Sequence, residues 1–236
     1  MIYNNAFADG GLKTIKITSN SKLILIDEYC FARSKLSSIF IPKSLITIVS
    51  NAFNFCQLEN ITVDPENPNF KLKFNSLFSG ANNSTLFRVA KSYSDSKYIV
   101  PNYVTNISEF CFYAVSITSI ELHNKIKYIG EFAFALCSTL ESINIPGSLT
   151  HIKLFTFFCF SSLSNIVFQN NLNDLKIDET AFQSISNTVN LYITGTFIPY
   201  QIIAFGLSKV FPHGSNLYIT SKTVLTNSSK DFFEKS

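Results

Sequence analysis

The sequence predicts a β-rich, right-handed parallel solenoid with one short strand per coil and a period of about 23 residues, and three observations lead to it. The first is a pattern Ile-x-x-x-small-Phe, which runs from Ile2 to Phe7, Ile26 to Phe31, Ile48 to Phe53, Ile107 to Phe112, Ile129 to Phe134, Ile152 to Phe157 and Ile177 to Phe182. Successive phenylalanines lie 24, 22, 59, 22, 23 and 25 residues apart, so a single interval departs from the period. The second is a pattern Leu-x-x-Ile-x-Ile that begins five or six residues after the Phe. The third is a Pro-x-Ser-Leu slot that follows in several repeats, and a fixed period of this kind signals a stacked-repeat architecture.

Each element has its own reason. The residue before the repeat Phe is Ala6, Cys30, Ala52, Cys111, Ala133, Thr156 or Ala181, always small, which leaves room for the large ring. The second pattern appears as Leu12/Ile15/Ile17, Leu36/Ile39/Ile41, Leu58/Ile61/Val63, Ile117/Ile120/Leu122, Leu140/Ile143/Ile145 and Leu163/Ile166/Phe168. Its last two apolar positions alternate with polar ones, the period of a strand with one buried face. Pro42-Lys43-Ser44-Leu45 and Pro146-Gly147-Ser148-Leu149 fill the third slot, and Pro101-Asn102-Tyr103-Val104 is a degenerate version. Proline fixes φ and removes a ladder donor, so it ends the strand and turns the chain toward the other side of the coil. That other side is expected to carry turns, short strands or short helical pieces. One unit cannot bury its apolar residues alone, whereas stacked units can, each meeting its equivalent about 4.8 Å away. Seven or eight coils give a rod of roughly 35 to 40 Å.

Residues 129–149 (Ile129-Gly130-Glu131-Phe132-Ala133-Phe134-Ala135-Leu136-Cys137-Ser138-Thr139-Leu140-Glu141-Ser142-Ile143-Asn144-Ile145-Pro146-Gly147-Ser148-Leu149) resemble a repeat of the BspA-like leucine-rich-repeat family. The resemblance covers about residues 1–195. The 59-residue interval fits it, because Val63-Asp64-Pro65-Glu66-Asn67-Pro68-Asn69-Phe70 through Thr85-Leu86-Phe87-Arg88-Val89 resembles the hairpin-bearing insert common in that family. Gly80-Ala81-Asn82-Asn83-Ser84 supplies its turn, since Gly and Asn tolerate positive φ. The resemblance implies a leucine-rich-repeat solenoid acting as a surface or extracellular binding protein of bacteria or mucosal protist parasites, with host or cell-surface proteins as partners. An intracellular leucine-rich-repeat scaffold is the alternative, because no signal peptide or anchor is visible in Met1-Ile2-Tyr3-Asn4-Asn5 or beyond.

The expected organisation is repeats over 1–195 with the insert at 64–98, a degenerate final repeat or cap over 196–220, and a polar tail over 221–236. Asn190-Leu191-Tyr192-Ile193-Thr194 returns as Asn216-Leu217-Tyr218-Ile219-Thr220, which marks the final strands. Met1 enters directly at the first Ile slot with no capping unit, which points to a piece of a longer protein.

Composition excludes several classes of function. The 236 residues carry 19 Lys+Arg against 16 Asp+Glu, a net charge of +3, too balanced for a nucleic-acid binder recruited by bulk charge. Lys13, Lys16 and Lys22 cluster near one end, but Phe40, Glu59 and Glu121 interrupt any basic stripe. With 46% apolar and 15% charged residues, the chain is unlike a disordered one. Its most apolar run, residues 154–160, is far shorter than the roughly 18 to 20 residues that cross a bilayer.

Catalytic, metal and cofactor chemistry find no constellation. Cys30, Cys56, Cys111, Cys137 and Cys159 all fall at repeat-locked positions and are expected in the core as small hydrophobes, with disulfide or reactive roles the alternative. No Cys-x-x-Cys spacing suggests zinc, and no Gly-x-Gly-x-x-Gly or Gly-x-x-x-x-Gly-Lys cradles a nucleotide. A cysteine nucleophile needs a base among His123, His151 and His213; His151 and Cys159 share a repeat but flank Phe157, whose ring should separate them. His123 and His151 are expected as exposed polar residues near turns. The sequons at Asn60, Asn82, Asn83, Asn106 and Asn227 are as many as chance gives in a chain so rich in Asn, Ser and Thr.

The candidate site is therefore a surface. Between the last two buried residues of each strand one side chain points out of the sheet: Lys16, Phe40, Thr62, Glu121, Asn144, Val167 and Tyr192. Phe40, Val167 and Tyr192 are types enriched at interfaces, so the column, with the insert beside it, is expected to bind protein. Ordinary strand propensity is the alternative explanation.

Overall fold

A computed structural model describes residues 1–169, 175–186, 188–194, 211 and 214–219. Most of the expected cap at 196–220, the tail at 221–236, His213 and the sequon at Asn227 lie outside the described residues. The coils are numbered here by their phenylalanines: Phe7, Phe31 and Phe53 for coils 1 to 3, then Phe112, Phe134, Phe157 and Phe182 for coils 4 to 7.

The chain winds as a parallel β-solenoid, as the repeat predicts. Numbered along the chain, the strands are β1 (Leu25–Ile26), β2 (Ser38–Ile41), β3 (Thr47–Ile48), β4 (Asn60–Val63), β5 (Lys71–Lys73), β6 (Ser76–Ser79), β7 (Thr85–Val89), β8 (Lys97–Ile99), β9 (Asn106–Ile107), β10 (Ser119–Glu121), β11 (Tyr128–Ile129), β12 (Ser142–Ile145), β13 (His151–Ile152), β14 (Asn165–Phe168), β15 (Lys176–Ile177), β16 (Asn190–Ile193) and β17 (Asn216–Ile219). The Leu-x-x-Ile-x-Ile strands form a broad parallel sheet, in the order β8-β10-β12-β14-β16-β17, with β2-β4 as a separate pair. The Ile of the first pattern nucleates the two-residue strands on the other side, in β1-β3, β9-β11 and β13-β15. Residues 11–24 carry no assigned strand, so the expected strand at Ile15–Ile17 is not formed. In this structure coil 1 has a neighbour on one side only, and Leu12, Ile15 and Ile17 are only partly buried against coil 2.

The Phe slot makes a spine. Phe7, Phe31 and Phe53 stack at 5.5 and 5.4 Å, and Phe112, Phe134, Phe157 and Phe182 at 5.0, 5.4 and 4.9 Å, close to the strand spacing that sets them. Around five of the seven rings the backbone turns through left-handed residues two positions before and after it: Asn5 and Asp9, Tyr29 and Arg33, Phe110 and Ala114, Phe132 and Leu136, Phe155 and Cys159 all have φ between 53° and 60°, while around Phe53 and Phe182 only the later position, Phe55 or Ser184, is left-handed. This geometry sends alternate amides to the next coil. In coil 4, Phe110, Phe112 and Ala114 donate to the carbonyls of Glu131, Ala133 and Ala135, while Cys111, Tyr113 and Val115 donate back within the turn to Ser108, Phe110 and Phe112. The turn edge is thus a second hydrogen-bonded ladder, which offsets the unfavourable φ of its non-glycine residues. The Pro slot has its own device: Ser44 and Ser148 donate to the carbonyls of Leu23 and Ile126 one coil back.

The insert interrupts both sheets between coils 3 and 4. Its strands β5, β6 and β7 run antiparallel, and β7 joins β9 in parallel. Phe74 and Asn75, both at φ 51°, link β5 to β6, and Gly80 (φ 78°), Asn82 and Asn83 turn the chain between β6 and β7. The buried apolar residues form two large cores that separate there, one holding coils 1 to 3 with Phe70, Leu77, Phe87 and Ala90, the other running from Phe78 through coil 7, and a small third cluster of Phe110, Tyr113 and Ala135 against which Phe55 packs. Two groups of the insert stand in for missing repeat contacts. Asn67, fully buried, donates to the carbonyls of Pro42 (2.6 Å) and Leu45 (3.1 Å) and accepts the amides of Asn69 and Phe70. Arg88, also buried, donates to the carbonyls of Phe110 (2.6 Å) and Cys56, tying coil 3 to coil 4 across the interruption.

Candidate interaction face

Strand pairing places the outward side chains in register. Phe40 lies opposite Thr62, and Asn144, Val167, Tyr192 and Tyr218 follow one another across β12, β14, β16 and β17. Glu121 lies opposite Ile99. Of the seven predicted residues, Glu121, Asn144, Val167 and Tyr192 stand on one row of the broad sheet and Phe40 and Thr62 face outward on the separate β2-β4 pair; Lys16 is exposed but sits in the segment without a strand, so it is not held by a ladder. Thr62, Glu121 and Asn144 are exposed, whereas Phe40, Val167 and Tyr192 are half-buried among their neighbours.

Two residues of the same row were missed. Ile99 is 61% exposed and Tyr218 47% exposed, the latter stacked on Tyr192 at 4.8 Å and 13°. The outward residue lies two before the Pro of the third slot, as Phe40 does before Pro42 and Asn144 before Pro146. Counting back from Pro101 therefore identifies Ile99, and the return of Asn-Leu-Tyr-Ile-Thr identifies Tyr218.

The insert adds relief beside the row. Phe74, at the β5–β6 turn, is 73% exposed and borders a cavity of about 250 Å³ with Tyr93, Asp95, Lys97, Tyr98 and Ile99. On the other side of Ile99, Pro101, Glu121, His123 and Asn144 border a second cavity of about 450 Å³. Lys97 pairs with Glu121 across adjacent strands, so the charges here are internally balanced.

The chemical candidates resolve into coil-to-coil contacts. Cys30, Cys56, Cys111 and Cys137 are buried and unpaired. Burial pushes the Cys30 thiol up to about 11 and Cys137 up to about 12, and raises Cys56 and Cys111 as well, which leaves all four as poor nucleophiles. They also serve as donors, Cys30 to Tyr3 O, Cys56 to Leu36 O and Cys137 to Phe112 O. Cys159 departs from the core expectation: it is half-buried, because it occupies the left-handed position two residues after Phe157, where side chains turn outward. His123 and His151 are half-buried rather than exposed. His123 accepts the Lys125 amide at Nδ1, so its Nε2–H donates to Pro101 O at 2.9 Å. His151 lies 3.1 Å from the Asp178 carboxylate of the next coil. Among the described residues, no three His, Cys, Asp or Glu side chains are grouped to hold a metal, and no helix is long and apolar enough to cross a membrane.

Comparison with known proteins agrees with this architecture. The family model "BspA type Leucine rich repeat region" matches residues 1–97 and 90–210 in six copies. The crystal structure of the pneumococcal vaccine antigen PcpA superposes with a TM-score of 0.74 at 25% identity, covering 99% of this chain and 62% of that one. A leucine-rich cell surface protein of Faecalibacterium prausnitzii gives 0.70 at 22% identity, covering 94% and 56%, and a leucine-rich-repeat protein of Eubacterium ventriosum gives 0.65 at 16%, covering 97% and 73%. The last two are alike in fold. The chain spans about three-fifths of the length of the first two. No curated protein matches it.

Proposed function

The chain belongs to the BspA-type leucine-rich-repeat family, and from that premise we propose that it is a non-catalytic protein-binding module acting at a cell surface or outside the cell, in adhesion or host contact. A leucine-rich-repeat solenoid is typically an interaction scaffold, and no enzymatic family is indicated. The observation that carries the reading is the set of apolar and aromatic side chains standing outward, Ile99, Val167, Tyr192 and Tyr218 on the broad sheet and Phe40 on the β2-β4 pair. Such side chains are the usual anchors of protein interfaces. Thr62, Glu121 and Asn144, interspersed among them, supply the polar contacts that fix orientation, and Lys16 extends the face at its N-terminal end. Similarity to the pneumococcal antigen supports the surface setting.

The test is saturable binding of the labelled chain to epithelial monolayers, compared with the Phe40→Ala/Ile99→Ala/Tyr192→Ala triple variant. Loss of at least about tenfold in affinity with an unchanged melting temperature is expected, since interface anchors each contribute on the order of 1–2 kcal/mol. Absence of saturable binding, or equal binding by the variant, refutes the proposal.

A further inference from the structure

The second sheet has one open edge that faces a cavity. Where the two-residue strands of adjacent coils pair, the next coil fills two carbonyl acceptors: Ile24 O receives the Thr47 amide (3.1 Å) and Ile26 O receives Val49 (3.0 Å); farther on, Ser84 O receives Asn106 (3.1 Å) and Leu86 O receives Ser108 (3.0 Å), whereas β11 and β13 do not pair with each other and Lys127 O and Ile129 O receive no such amide although coil 6 follows directly. The equivalents on β3 are Ile46 O and Ile48 O, since Leu25 and Ile26 register with Thr47 and Ile48. Thr47 and Val49 turn their amides to coil 2, so Ile48 presents its own backbone groups to the opposite side. β3 pairs with β1 alone, and no described group donates to Ile46 O or Ile48 O.

The insert causes this. After β3 it puts no parallel strand, and a cavity of about 570 Å³ lies between β3, the segment Pro68 to Phe70 and the turn after β6. This volume is within the range of ligand sites. Its floor is Phe70, its far rim Gly80 to Asn82, and Ile46 stands 59% exposed at its mouth. None of its lining side chains is ionisable. Proteins ordinarily cover or pair an edge of this kind, because its unpaired amides and carbonyls are a template for another strand.

We propose that the open edge of β3 is a second binding site, which takes an extended, uncharged peptide segment of a partner protein by strand addition. The segment's amides at alternate residues donate to Ile46 O and Ile48 O, as the next coil does elsewhere, and an apolar side chain rests on Ile46. A charged segment would enter without a counter-ion, which sets the chemical class. The site is independent of the outward row on the broad sheet.

A random octapeptide library displayed on phage and selected on the full chain tests this, the enriched peptide then being labelled with fluorescein and titrated by anisotropy. Methylating the backbone nitrogens of one alternate set of peptide residues is expected to weaken binding at least about tenfold, and methylating the other set to change it less than about twofold. Ala81→Trp, which fills the cavity from an exposed turn, weakens binding to the same degree, whereas Phe40→Ala/Tyr192→Ala leaves it unchanged. The methylation pattern is read on the unaltered chain and needs no variant to fold. The proposal is overturned if no peptide is enriched, if both methylation sets act alike, if Ala81→Trp is without effect in a folded variant, or if the outward-row variant abolishes binding. Sedimentation that shows a dimer lost on Ala81→Trp would assign the edge to a second copy of the chain and also overturn it.

Discussion

Replacing Arg88 by Met keeps a stem of similar length in the core and removes only the guanidinium, leaving Cys56 O without its donor and Phe110 O with the Tyr113 amide alone. The side chain is 3% exposed, and burial draws its pKa below the ordinary arginine value. No carboxylate pairs with it; its partners are the two carbonyls and the Tyr113 ring, 6.0 Å away. Two opposing magnitudes meet here. The one buried carbonyl left unsatisfied, Cys56 O, costs about 1–3 kcal/mol, and the lost bond to Phe110 O, which keeps another donor, about 1 more. Against this, removing a buried cation relieves a desolvation penalty, which is why some buried ionic groups can be replaced by apolar ones without loss. Arg88 differs from those cases because its acceptors are backbone groups that cannot be exchanged along with it. We therefore expect R88M to lose about 2 kcal/mol, which for a chain of this size is a fall in Tm of about 4–8 °C. Scanning calorimetry measures it, and R88K, which keeps the charge but presents a single point donor, should fall between R88M and the parent. An R88M Tm within about 2 °C of the parent, or above it, would refute the reasoning and make Arg88 a tolerated cost of the insert.

Gly130 should tolerate no side chain, since a Cβ there would lie 2.5 Å from Glu109 N and 2.8 Å from Glu109 Cα; G130A is expected to cost at least about 2 kcal/mol in a urea melt, and a neutral result would mean that the coil 4–coil 5 edge yields easily. N67A removes the acceptor of the Asn69 and Phe70 amides and one of two donors to each of Pro42 O and Leu45 O, and a loss of about 2–4 kcal/mol is expected by the same melt. Thiol titration at pH 8 should modify Cys159 in the native chain within minutes and the other four only on unfolding; fast modification of Cys111 or Cys137 would contradict their burial. The raised thiols also set a pH dependence: unfolded, they ionise near pH 9.0, whereas folded Cys30 and Cys137 hold their protons to about 11 and about 12, so stability is full below pH 9 and falls as pH rises toward those values. Between pH 8 and 10.5 Cys137 accounts for about 2 kcal/mol of that fall, and C137A should reduce it by that amount; an unchanged difference would remove the assignment.

The parts of this fold that could be read from the chain are those that repeat. Ile26, Phe31 and Leu36 recur with their spacing in coil after coil, and in the structure each is buried. Within single coils the signal was weaker. The left-handed turn positions hold Tyr29, Arg33, Phe55, Ala114 and Leu136, none of which prefers that conformation. There the inter-coil ladder imposes φ, and residue type does not announce it. The same holds for Phe74 at the β5–β6 turn, where a Gly or Asn would have marked the bend. Of the outward-facing residues, the positions within regular repeats were legible, while Ile99 was hidden by Lys97-Tyr98-Ile99-Val100, which lacks the Leu-x-x-Ile-x-Ile spacing.

Arg88 marks the deeper limit. Its role follows from what the insert takes away, namely the coil that would have carried contacts from coil 3 to coil 4, and a missing partner leaves no trace at the position that replaces it. The open edge of β3 has the same origin. On the turn edge the lost ladder is replaced by Arg88 and by the Phe55–Phe110 contact at 4.9 Å, whereas on the second sheet Ile46 O and Ile48 O receive no substitute. One interruption thus closes the solenoid on one side and opens it on the other, and it is the unrepaired side that has backbone groups left for a partner.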